Sequence, residues 1–146
     1  MLDGMDVAVV GGGLVGVSTA LQLARRGAGV TVFEEAPSYG AGQSGHNSNV
    51  VHSGAFYRPG SLKADLALRG RGMLEDFISA NKLPHRGGGK LVVQQRGEAE
   101  RFDELVRRAS VNGVEASVLS SAAELREFEP LASGERAVWL PSVAVT

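Results

Sequence analysis

The sequence predicts an α/β fold, and three observations predict it. An apolar, β-branched run, Val7-Ala8-Val9-Val10, has the length and composition of a buried parallel strand. Glycines follow at Gly11, Gly13 and Gly16, and Leu14, Val17, Leu21 and Ala24 then recur at helical spacing. Gly27 and Gly29 stop that helix, and residues 30–33 form a second apolar strand that ends at Glu34-Glu35. Strand, glycine turn, helix, strand and acid in this order are the pattern of a βαβ unit that holds a dinucleotide.

The residue types suit that role. Gly11 permits the tight turn out of the strand, Gly13 lets backbone approach a pyrophosphate, and Gly16 lets helix and strand pack closely. The helix start, at Leu14 and Val15, offers N–H groups and the positive end of the helix dipole to phosphates. Glu34 stands at the spacing expected for a carboxylate that accepts hydrogen bonds from a ribose diol. An acid there also repels a 2′-phosphate, which argues against NADP.

Further along, residues 36–60 form a long loop rich in Gly, Ser, Asn and His, expected to be ordered because it carries Val50, Val51, Phe56 and Tyr57. Residues 61–83 read as a helix entered through Pro59-Gly60-Ser61 and closed by Pro84. Its apolar stripe, Leu62, Leu66, Met73 and Phe77, is expected to be core. The Arg69-Gly70-Arg71-Gly72 stretch weakens its middle, since each glycine costs roughly 1 kcal/mol relative to alanine. A strand over 90–95, a helix over 98–110 ending at Asn112-Gly113, and a strand over 114–119 follow. Ser121-Ala122-Ala123-Glu124 matches a capping box for a short helix ended by Pro130, and residues 137–140 read as a last strand. The end, Pro141 to Thr146, carries no expected element, and the chain reads as the N-terminal portion of a larger protein or as a truncated gene product.

Composition narrows the function classes. The 146 residues, 43% hydrophobic and 21% charged, suit a soluble globular domain. A net charge of −1 gives no reason to expect nucleic acid or an anionic membrane as partner. Without cysteine there is no disulfide, thiolate nucleophile or Fe–S ligation, and the expected compartment is the cytoplasm. His46, His52 and His85 lack metal-ligand spacing, so no metal is expected. No apolar stretch is long enough to span a bilayer.

The loop carries a second constellation, Gly45-His46-Asn47-Ser48, then His52-Ser53-Gly54, Tyr57 and Pro59-Gly60-Ser61-Leu62-Lys63-Ala64. With these residues the chain resembles the FAD-dependent L-2-hydroxyglutarate dehydrogenase/oxidase group of the D-amino-acid oxidase-like flavoproteins. The resemblance continues through Gly87-Gly88-Gly89-Lys90-Leu91-Val92-Val93 and Ser121 to Pro130, so it covers nearly the whole chain. It implies an FAD-binding Rossmann-type domain begun by residues 1–83 and the start of an α+β substrate domain in 84–146. It implies FAD as cofactor, with the glycine turn and Glu34 on its ADP half. Ser44, Asn47 and Ser48 would lie near the pyrophosphate and ribityl chain, and His52-Ser53-Gly54 by the isoalloxazine. The implied chemistry is oxidation of a 2-hydroxy acid, L-2-hydroxyglutarate, to a 2-oxo acid, by hydride transfer from C2 to flavin N5 while a base takes the hydroxyl proton. Oxygen or a membrane quinone would reoxidise the flavin. A quinone would place the protein peripherally at the membrane, and an oligomer stays open.

Among individual residues, His52 is the candidate for the flavin contact and for the base, because imidazole titrates near working pH. His46 is expected to shape the loop and His85 to sit in a surface turn. A dicarboxylate needs cations, and Arg58, Lys63 and Lys90 are available, with Tyr57 as a candidate pocket wall. Arg107-Arg108 reads as a solvated helix face. The rival readings are a flavoenzyme of the same superfamily acting on an amino acid or glycerol 3-phosphate, an NAD-dependent dehydrogenase, and a non-catalytic nucleotide-binding fragment.

Overall fold

The computed structural model describes all residues, Met1–Thr146, as a mixed α/β chain of two compact units, Met1–Ser48 and Asn49–Thr146. This division by packing falls upstream of the 83/84 boundary expected from the division of roles.

The first unit is the βαβ element the glycine pattern predicts. Strand β1 (Asp6–Val10) pairs in parallel with β2 (Gly29–Phe33), with Val7 opposite Val30 and Val9 opposite Val32. Helix α1 (Leu14–Ala24) connects them. The strands are half-buried on one face only, with Ala8 and Val10 turned to solvent, and this corrects the fully buried strand expected from the apolar run. The helix face is also corrected. Its inward residues are Gly16, Ala20 and Leu23, whereas Leu14, Val17 and Leu21 are exposed. A Cβ on Gly16 would collide with the Gly11 carbonyl oxygen and reach Val9, so small residues set the close approach of helix to strand.

The second unit begins with β3 (Val50–Val51) and α2 (Leu62–Asn81). Ser61 caps α2, its Oγ accepting the Ala64 N–H at 3.2 Å. The helix runs unbroken through Gly70 and Gly72 and ends at Lys82, whose φ of +51° is left-handed. Its expected core stripe is not core in this chain: Leu62 is 71% exposed and Met73 63%, and Leu66 and Phe77 also face solvent. The inward face is Ala64, Ala67, Leu68, Arg71 and Ile78. That face carries an arginine at its centre, which is why apolar periodicity selected the wrong side.

Two three-stranded antiparallel sheets complete this unit. In the larger, β7 (Arg136–Leu140) lies between β5 (Lys90–Gln94) and β6 (Ser117–Leu119), with Val138 opposite both Val92 and Val118. In the smaller, β8 (Ala144–Val145) lies between β3 and β4 (Arg86–Gly87). The segment expected to carry no element therefore supplies a central strand, with Ala144 buried in it and Val143 buried just before it. Helix α3 (Ala99–Val111) buries Phe102, Leu105 and Ala109 against Val114, Val138, Leu140 and Val143. Its amphipathic stripe makes this face legible. The short α4 (Ala122–Phe128) buries Leu125. Ser121 Oγ accepts the Glu124 N–H as the capping box requires, and the Glu124 carboxylate returns to the Ser120 N–H at 2.7 Å.

Candidate functional site

In the first unit, the turn between β1 and α1 is fixed by the loop that follows β2. Gly11, at a φ of +101°, bends the chain, and its N–H donates to the Phe33 carbonyl at 2.8 Å. The Glu34 carboxylate accepts the Gly12 N–H at 2.6 Å through Oε2 and the Ala36 N–H at 2.9 Å through Oε1. These backbone donors, Ala36 first and then Gly12, hold the Glu34 carboxyl below the usual glutamate range. Glu34 therefore stands ionised beside the glycine turn, with lone pairs left on both oxygens for a diol.

The loop is attached at two further points. The Gly40 N–H donates to the Gly12 carbonyl at 3.1 Å, and the Leu14 N–H donates to Ser44 Oγ at 2.8 Å. Ser44 is thus seated on the first turn of α1, where Val15 and Gly16 also have N–H groups without an intrahelical acceptor. Gly13, the residue before the helix, faces the same hydroxyl: a Cβ there would stand 3.1 Å from Ser44 Oγ. Asn47 Nδ2 donates to the Ser44 carbonyl at 2.6 Å, and His46 Nδ1 stands 2.9 Å from the Gly42 carbonyl, the loop-shaping place expected for it. Ser48 is exposed at the end of this loop.

Gly11, Gly13, Leu14, Val15, Gly16, Glu34, Ser44 and Asn47 are therefore gathered by one unit around one helix start. The arrangement fits the ADP half of FAD: a glycine turn open at Gly11, a helix N-terminus, and an ionised acid beside them. One contributor, Gly12, lies outside the Gly11, Gly13 and Gly16 spacing. Gly12 is buried, and a Cβ on it would run into the Tyr39 ring and Glu34. The third consecutive glycine was the available signal.

In the second unit, His52 is exposed, and the three residues after it, Ser53, Gly54 and Ala55, are buried. Lys63 Nζ lies 4.8 Å from the centroid of the half-buried Tyr57 ring, so these two sequence-predicted residues do meet. Lys90 stands likewise over Phe56, at 4.8 Å. The Arg58 side chain is exposed, and its carbonyl accepts from Ser61. His85 lies exposed between α2 and β4, as expected.

Segment 53–57 is held from both helices by residues the sequence reading did not select. Arg71 Nη1 donates to the Ser53 carbonyl at 3.2 Å and to Ser142 Oγ at 3.0 Å. Asn112 Nδ2 donates to the carbonyls of Gly54 and Tyr57, at 3.1 and 3.0 Å. Arg108 Nη1 reaches the Phe56 carbonyl at 3.2 Å; Arg107 donates to both oxygens of Glu104, and Arg108 Nε to one of them. Arg108 is therefore a loop contact, and the purely solvated face expected for the arginine pair is corrected. A groove of about 330 Å³ opens on β5 and α3, lined by Phe56, Val92, Gln94, Phe102 and Arg108 among others. It contains none of the sequence-predicted site residues.

No helix of the chain is long and apolar enough to cross a membrane. Residues 6–146 match the family described as FAD dependent oxidoreductase. The chain is 37% identical over 143 residues to the mitochondrial L-2-hydroxyglutarate dehydrogenase of Caenorhabditis elegans, covering 96% of this chain and 33% of that protein. It is also 37% identical to the L-2-hydroxyglutarate dehydrogenase of Escherichia coli K12, covering 96% and 34%. The chain thus spans about a third of the length of the curated relatives it matches. Among solved structures it resembles the FAD-bound L-alpha-glycerophosphate oxidase of Mycoplasma pneumoniae, with a TM-score of 0.86, 25% identity and coverage of 96% and 38%. The glycine oxidase of Bacillus cereus gives a TM-score of 0.78 at 25% identity, covering 97% and 39%. A glycine turn braced by an ionised acid, and a match that runs from β1 to the last residue, lead to one assignment: the chain belongs to the FAD dependent oxidoreductase family.

Proposed function

We propose that this chain supplies the FAD-holding end of a flavoenzyme that oxidises a small 2-hydroxy acid, L-2-hydroxyglutarate, to its 2-oxo acid. The observation that carries the reading is the bracing of the glycine turn by Glu34 and Ser44. The names of the relatives supply the substrate. Gly11, Gly13, Leu14, Val15 and Gly16 would receive the pyrophosphate and Glu34 the ribose diol, with Ser44, Asn47 and Ser48 along the chain toward the flavin. When bound, FAD supplies the two-electron acceptor for the substrate's C2 hydride. His52 is assigned to the flavin end, where it holds the proton released from the substrate hydroxyl. Tyr57, Arg58 and Lys63 are assigned to the dicarboxylate, which needs cationic and hydrogen-bonding partners. Residues 1–83 then serve the cofactor and 84–146 begin the substrate domain.

The test is a visible spectrum of the purified chain with FAD, before and after anaerobic L-2-hydroxyglutarate. A bound-flavin spectrum that bleaches is the expected result, and failure to retain flavin overturns the assignment for this chain. A flavin that is retained but bleached by glycerol 3-phosphate or glycine instead keeps the cofactor and replaces the substrate. Reoxidation by air or by a soluble quinone then identifies the acceptor. Sedimentation identifies the oligomer, and fractionation separates a cytoplasmic from a peripheral membrane location.

A further inference from the structure

The segment that carries His52 is fastened to the fold at its carbonyl oxygens by three side chains, Arg71, Arg108 and Asn112, and Arg71 holds the one nearest the histidine. Arg71 sits in the middle of α2 between Gly70 and Gly72, a place where a charged residue would ordinarily point to water. It turns inward instead. A single nitrogen, Nη1, bridges the carbonyl of Ser53 and the hydroxyl of Ser142, joining the residue after His52 to the turn before β8. Nε of the same guanidinium is buried without a hydrogen-bond acceptor, its nearest acid being Glu75 Oε1 at 3.6 Å. A buried donor left unpaired costs free energy, so the inward place of this side chain needs an offsetting gain. On the other side of Gly54, Asn112 spends both donors of its amide on the carbonyls of Gly54 and Tyr57. Ala55 between them is wholly buried in the apolar core.

We propose that Arg71 is a positioning residue, which, with Asn112, fixes the backbone of residues 53–57 and thereby the place from which His52 projects. The proposal rests on the assignment of His52 to the flavin end, but its geometry does not need the cofactor. The contacts of Arg71 are to Ser53, Ser142 and Glu75. It acts through the Ser53 carbonyl, one residue from the histidine. Ser142 is the second anchor, so the turn at 141–143 takes part in setting the loop.

The experiment is flavin-free NMR of the full chain, reading the backbone amide and imidazole signals of His52, assigned with His52→Gln, against those of His46 and His85. In Arg71→Met the His52 signals move or broaden, while those of His46 in the other unit stay in place. Arg71→Lys restores them, because one ammonium has enough donors to bridge both oxygens. Ser142→Ala, which keeps the arginine and removes one anchor, gives a smaller displacement in the same direction, and it decides the matter should Arg71→Met fail to fold. Unchanged His52 signals in Ser142→Ala together with Arg71→Met, or no recovery in Arg71→Lys, overturn the proposal. Because no flavin is present, that failure is separate from a failure of the chain to bind FAD.

Discussion

The carboxylate of Glu34 accepts the N–H of Gly12 at 2.6 Å, across 22 residues of chain. The acid that sequence spacing assigns to a ribose is thus also a brace of the turn assigned to the phosphates. Replacing Glu34 with Gln removes the charge and one of the two acceptors. FAD affinity should fall roughly tenfold or more, the size expected when a hydrogen bond to a charged group is lost. Affinity of the unaltered chain should also decline as pH falls below the usual glutamate range, because the folded-state carboxyl is held below it. Flavin titration by fluorescence at several pH values checks both.

Gly16→Ala places a methyl group against the Gly11 carbonyl oxygen, which is backbone and cannot swing aside. The expected cost is about 1–3 kcal/mol, typical of overpacking. Denaturant unfolding followed by circular dichroism measures it, and loss of FAD binding should accompany it.

Ser44→Ala leaves the Leu14 N–H without its side-chain acceptor. A loss of about 1 kcal/mol is expected for a neutral hydrogen bond of this kind. Amide exchange at Leu14 should quicken, and the signals of residues 49–146 should not change.

Leu125→Ala and Met73→Ser form a contrasting pair. Leu125 is fully buried, so its truncation should cost about 2–5 kcal/mol. Met73, 63% exposed, should change stability by no more than about 0.5 kcal/mol. Urea midpoints of the two variants decide whether the exposed stripe of α2 contributes to folding of this chain.

Glu104 is held between Arg107 and Arg108, whose hydrogen bonds, Arg107 first, lower its carboxyl from 4.5 to about 2. A carboxyl with a depressed folded-state value stabilises fully above its ordinary value and ceases to do so as pH falls through the folded one. Stability should therefore decline between about pH 4.5 and 2, and Glu104→Gln should flatten that decline. Acid titration by circular dichroism reads the difference.

The βαβ unit was legible because its signals are local: a glycine turn, a stop at Gly27 and an acid at Glu34 each act within a few residues. Helix α3 and the cap at Ser121 were legible for the same reason. The buried face of α2 was not, because its centre is Arg71, and hydropathy cannot distinguish an inward arginine from a solvated one. Asn112 stops α3 as its place before Gly113 predicts, but its second use, holding Gly54 and Tyr57, depends on residues more than fifty positions away. Strand β8 was missed since two residues hold no period; only its partners at Val50 and Arg86 define it. Of the site, the part around Gly11–Gly16 followed from spacing, and the fastening of 53–57 followed only from tertiary contacts.

The place of β8 sets the order in which the second unit can form. Val50 pairs with Val145, and Arg86 pairs with that same residue from the other side, so both ladders close over long stretches of chain. Closing such loops costs conformational entropy before any contact rewards it, and chains rich in distant pairings fold slowly. The βαβ unit, whose strands are joined by a single helix, closes over a much shorter stretch of chain. The glycine turn and Glu34 can thus be assembled while the loop that bears His52 still waits for the far end of the chain to arrive.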